Sequence, residues 1–214
     1  MAQTEQKNQN VKKQFEELQS LLERAMALQT SMVLFEWDDE TLAPKGAAEH
    51  TARVIGSLSE QYQEILASMR FKELLDACQK AEKENAGVFD EVQSAILREA
   101  AEEQERLSCI PPEEYRAYAE LTARATGIWT RAREKNDFAS FAPVLKEIIS
   151  YQKKFAAYRA KPGQKLYDVM LDTYEKGFNM EMLDPFFELM KGKIVPLLKE
   201  SAERSKTVPD AFLS

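Results

Sequence analysis

The sequence predicts an all-α fold, a multi-helix up-and-down bundle of about eight helices with no significant sheet, and three observations predict it. Only 7 glycines and 8 prolines stand in 214 residues, too few for the turns of a many-stranded sandwich or barrel. Apolar residues recur at steps of three and four, the period of one helix face. The glycines, prolines and Asx residues that do occur fall largely between those runs, where helices stop and start. With 44% hydrophobic and 30% charged residues the chain can bury a core, and residues 1–214 are expected to form a single helical domain with 1–10 disordered or frayed.

The elements follow in order. Val11, Phe15, Leu18, Leu22, Ala25 and Met32 form a heptad-like stripe that predicts a helix over 8–35. Its end is placed at Glu36 to Gly46, where acidic turn formers precede Pro44 and Gly46. A second helix is predicted to run to about Ser68 with Val54, Leu58, Ile65 and Met69 on one side, and a short third carries Leu74, Leu75 and Cys78 before Asn85-Ala86-Gly87. Residues 88–107 read as a fourth, whose Glu99, Glu102, Glu103, Glu105 and Arg106 read as a solvated face. Pro111-Pro112-Glu113-Glu114 restarts the chain for a fifth helix over 112–135, because proline and carboxylates suit a first helical turn. A sixth covers 140–158, a seventh 166–173 stopped near Gly177, and an eighth 185–204 with a bend expected at Pro196.

Composition excludes several functions. Lys+Arg 29 against Asp+Glu 36 gives a formal charge of -7, the reverse of what phosphate-backbone binding needs, so no nucleic-acid partner is expected. The longest uncharged stretch, Ala25 to Phe35, falls short of the ~20 residues that span a bilayer, and the polar start lacks an apolar signal core. Two cysteines make no disulfide framework, and with the missing signal they point to a cytoplasmic protein. A single histidine, His50, rules out both a His-Glu-x-x-His zinc helix and a di-iron bundle within this chain. No metal site and no cofactor are therefore expected in it.

The candidate local site is Trp37, Asp38, Asp39, Glu40, Thr41 and Pro44, with His50 and Arg53 in the following helix. A guanidinium and carboxylates beside an indole suit a charged ligand end. Spacing alone favours an interhelix corner in which Trp37 fills a gap, Asp38 or Thr41 caps the following turn, and Arg53 pairs with an acid. His50 reads as a surface histidine, and Cys109 has no second histidine to activate it as a nucleophile. Trp129, Phe138, Phe141, Tyr151, Phe155, Tyr158, Tyr167, Tyr174, Phe186 and Phe187 recur at helical intervals and read as core volume. The residues by themselves lead no further than a helical domain.

Four blocks, in order, carry a resemblance. They are Trp37-Asp38-x-x-Thr41-x-x-Pro44-x-Gly46-Ala47 with Arg53 and Gly56-Ser57-Leu58-Ser59; then Trp129-x-x-Ala132-Arg133 with Asn136-Asp137-Phe138-x-x-Phe141-x-Pro143-x-Leu145. Tyr167-Asp168-x-x-Leu171-Asp172-x-Tyr174-Glu175-x-Gly177 is the third, and Leu183-Asp184, Phe187 and Val195-Pro196-Leu197-Leu198 are the fourth. Together they resemble the Taq-type metallocarboxypeptidases over most of residues 11–200. Ala43 stands where that family commonly has Met, and Tyr62 about where many members place a histidine.

The resemblance implies the N-terminal helical portion of a zinc enzyme that removes C-terminal amino acids from peptides. The family's His-Glu-x-x-His helix, its later glutamate ligand and its grip on the substrate carboxylate lie beyond the matched region, so zinc and peptide substrates belong to the full-length family. On this reading the chain is catalytically incomplete, its first partner is the missing C-terminal catalytic portion, and an exposed apolar face that could also support a homodimer is expected. Trp37, Asp38, Thr41, Pro44, Arg53, Trp129, Arg133, Phe138, Phe141, Tyr167, Asp168, Tyr174 and Gly177 are implied to be structural or groove-lining, with no catalytic or metal residue among them. A free-standing interaction module built on the stripe of residues 11–32, or a regulatory pseudoenzyme, is the alternative.

Overall fold

The computed structural model describes residues 2–205, without the side chains of 2–5, 7, 8 and 45. Among the described residues eight helices follow in order: α1 (Ala2–Thr41), α2 (Ala48–Ala67), α3 (Met69–Glu84), α4 (Glu91–Ser108), α5 (Pro112–Glu134), α6 (Phe138–Arg159), α7 (Leu166–Tyr174) and α8 (Met180–Ser205), with a 3-10 turn at Lys45–Ala47. No strand occurs among them, so the all-α expectation holds. Residues 2–10 are helical where fraying was expected; Met1 lies outside the described residues. No described helix is long and apolar enough to cross a membrane.

The helix ends have local causes. Ser68 closes α2 and opens α3, its hydroxyl accepting from the Phe71 N–H at 3.1 Å. Asp90 and Gln93 form a reciprocal capping box at the start of α4. Pro112 opens α5, and α8 runs uninterrupted through Pro185 and Pro196.

By its contacts the chain groups into two compact units, Met1–Tyr158 and Arg159–Ser214. In the first, α1 packs on α2 and α3, α4 covers α2 and α3, and α5 lies along α2. Val11, Phe15, Leu18 and Ala25 of α1 are buried in one cluster with Leu66, Phe71, Leu74, Leu75, Cys78, Phe89, Leu97 and Leu107. Burying each large side chain contributes roughly 1.5–3 kcal/mol, so this cluster dominates the unit's stability. The α1 stripe is thereby consumed inside its own chain.

Two expectations about faces are corrected. The buried face of α2 is Thr51, Ala52, Ile55, Gly56, Ser59, Gln63 and Leu66, while Met69 is exposed at the start of α3. Small residues mark that face because α5 approaches closely: a Cβ at Gly56 would lie 2.3 Å from Glu120 Cγ. Gln63 is fully buried because its Nε2 donates to the carbonyls of Leu107 (3.1 Å) and Ile110 (2.6 Å), holding the α4–α5 corner. The charged tail of α4 is also not wholly solvated. Glu103 accepts from Arg106 and from the Tyr62 hydroxyl at 3.1 Å, and burial together with the Glu103 charge pushes the Tyr62 phenol above its ordinary range.

Against α5, α6 is held by side chains. Tyr118 meets Phe155 edge-on at 5.3 Å and Tyr151 at 5.7 Å, Gln152 donates to the Tyr118 hydroxyl, and Lys154 pairs with Glu114 at 2.6 Å. In the second unit α8 has no buried residue.

Candidate functional site

The first motif block forms the end of α1, which continues past the expected break at Glu36. The Asp38 carbonyl accepts from the N–H groups of Leu42 (2.9 Å) and Ala43 (2.8 Å), and the Thr41 hydroxyl donates back to the Trp37 carbonyl at 2.5 Å. Pro44, extended at φ -66° and ψ 143°, then ends the helix. Thr41 thus closes the turn behind it, and neither Asp38 nor Thr41 caps the following one. Trp37 is 56% exposed and fills no gap, and Arg53 is exposed on α2 with no ion pair among the described residues. The cause is helical register. The face that buries Phe15, Leu18 and Ala25 continues through Met32 to Glu36, Asp39 and Glu40, which leaves Trp37 on another side of the helix.

Those acids line a cavity of about 160 Å³ with Ile55 of α2 and Thr122, Ala123 and Thr126 of α5. Sequence reading had placed Asp39 and Glu40 at the site but missed Glu36, Thr122 and Thr126; the i, i+4 spacing of Glu36 and Glu40 is the signal that finds the acidic face. The Thr122 hydroxyl donates to the Ala119 carbonyl at 3.0 Å. No basic residue stands in the last turn of α1, so the carboxylates meet the negative end of the helix dipole unopposed. Burial first, and the Glu40 charge second, push the Glu36 carboxyl above its ordinary range. A carboxyl raised in the folded state weakens the fold at pH above that value, and the penalty disappears on acidification. Glu36→Gln should therefore leave the chain as stable or more stable at pH 7, the gain fading in urea melts as the pH falls through the raised value and gone below the ordinary carboxyl value of 4.5. A loss of stability at pH 7 would show that the carboxylate is favourably paired.

The second block is the α5–α6 corner. Arg133 lies 5.2 Å from the ring centre of exposed Trp129. Asn136 takes φ +51°, a conformation that Asn tolerates, and Asp137 caps α6 by accepting from the Ser140 N–H at 3.2 Å. Phe138 is exposed and Phe141 half-buried.

The third block is the α7–α8 corner. The Asp168 carboxylate accepts from the Met180 N–H at 2.9 Å, and Asp172 accepts from the Gly177 N–H at 2.8 Å. Gly177, at φ +83°, takes a turn that a side chain would strain. Asn179 caps α8 by accepting from the Met182 N–H at 3.0 Å. Tyr167 and Tyr174 project into solvent, Tyr174 at 81% exposure.

His50 is exposed on α2, Cys109 lies half-buried with its Sγ 3.5 Å from the Arg106 carbonyl, and burial pushes the Cys78 thiol up to about 11. The expectation of an aromatic core over residues 129–187 is corrected. Of the ten aromatics named for it only Phe155 is buried, and Phe15, Phe71 and Phe89 supply the core instead. No group of three or more His, Cys, Asp and Glu among the described residues could hold a metal ion, and the acids lining the cavity include no imidazole or thiolate. The described residues therefore do not fit a catalytic metal centre.

Solved metallocarboxypeptidases share this arrangement of helices. The crystal structure of BsuCP matches at TM-score 0.82 with 32% identity over 88% of this chain and 37% of that one. Trypanosoma cruzi metallocarboxypeptidase 1 matches at TM-score 0.72 with 27% identity over 91% of this chain and 38% of that one. The fold, with motif residues at its corners, is thus that of the helical metallocarboxypeptidases. The family model for carboxypeptidase Taq (M32) metallopeptidases matches residues 17–214, and the chain belongs to that family. Carboxypeptidase 1 of Bacillus subtilis is 32% identical over 91% of this chain, and thermostable carboxypeptidase 1 of Pyrococcus furiosus 31% identical over 86%. The chain spans 38% and 36% of the lengths of these two relatives.

Proposed function

We propose that residues 1–214 act as the N-terminal helical part of a metal-dependent carboxypeptidase that removes C-terminal amino acids from peptides, with zinc and the catalytic groups supplied by polypeptide outside this chain. The observation that carries the reading is the match to the family model over 17–214 in a chain spanning little more than a third of its relatives, with no set of residues fit for a metal among the described residues. Its own contribution is scaffolding. In the first unit the corners at Trp37–Pro44 and Trp129–Phe141, and in the second the corner at Tyr167–Gly177, brace the helices they join, and Trp37, Asp38 and Arg53 act through shape and position. Two free cysteines, one of them buried, support a reducing cytoplasmic setting.

A free-standing interaction module on the stripe of residues 11–32 is disfavoured, because Val11, Phe15, Leu18 and Ala25 are spent in the core. The test is direct: the purified chain incubated with zinc should retain no stoichiometric metal and release no C-terminal amino acids from peptides. Robust release abolished by a chelator would overturn the assignment of catalysis to other polypeptide.

A further inference from the structure

No further inference is drawn: the strongest candidate, the cavity of about 160 Å³ lined by Glu36, Asp39 and Glu40 of α1 and by Thr122 and Thr126 of α5, rests on an acidic cluster alone, and nothing else among the described residues shows what it would hold.

Discussion

Phe71→Ala should unfold the first unit at markedly lower denaturant than wild type, with a loss of about 3–5 kcal/mol, because the substitution leaves a cavity at a fully buried site. Phe71 opens α3, with its N–H held by the Ser68 hydroxyl, and it shares a cluster with Leu18 of α1, Leu66 of α2 and Leu97 of α4. Truncation removes contacts to several helices at once, and the backbone cap keeps α3 from collapsing into the void. Phe71→Leu should cost much less, on the order of 1–2 kcal/mol, since most of the volume is kept. Urea melts of the three proteins followed by far-UV circular dichroism give the answer. A Phe71→Ala loss below about 1 kcal/mol would show that this cluster does not hold α1 against α3. The same experiment bears on the α1 stripe: Leu18→Ala should be costly in the isolated chain, whereas a stripe reserved for an outside partner would make it neutral.

What was legible in the sequence was local. Helix ends set by a proline or a stop were readable: Pro112, Asn136-Asp137 and Gly177 each act through their own backbone neighbourhood, whereas the Asp90 box was missed and α4 starts at Glu91, not at 88. The end of α1 was missed as well. Asp38, Asp39 and Glu40 look like turn formers, yet the helix absorbs them because Thr41 and the Asp38 carbonyl close its last turn before Pro44. The buried face of α2 was missed because large apolar residues were sought, whereas a glycine that admits another helix leaves the interface to small residues and to Gln63.

The candidate site divides in the same way. Motif residues were found at their corners, because Asp168, Asp172 and Gly177 act through short-range bonds to the next turn. Their exposure was not found. Counting Tyr167, Tyr174, Phe186 and Phe187 as core assumes that each helix meets enough neighbours within the chain, and α8 does not. The acid-lined cavity needs α1, α2 and α5 together, and no single segment announces that meeting.

Gly56→Ala tests that meeting. The new methyl would stand 2.3 Å from Glu120 Cγ and 3.0 Å from its Cδ, so the first carbons of the side chain must move and not merely its tip. Either Glu120 swings away, giving up Arg116 at 3.0 Å and Arg124 at 3.6 Å, or α5 shifts off α2. The exposed part of those ion pairs is worth under about 1 kcal/mol, and overpacking a helix interface costs about 1–3 kcal/mol. Alanine returns up to about 1 kcal/mol through helix propensity, which leaves an expected net loss of about 1–2 kcal/mol. Repeating Gly56→Ala in a Glu120→Ala background isolates the cause. With the clash removed, the glycine substitution should become neutral or stabilising, a coupling of at least about 1 kcal/mol. An equal penalty in both backgrounds would place the strain elsewhere in α2. Ile55 adjoins Gly56, and Thr122 lies two residues from Glu120, so a shift of α5 would open the acid-lined cavity. Water entering there should bring the Glu36 carboxyl back toward its ordinary range, a change that carboxyl titration by NMR reads independently of stability.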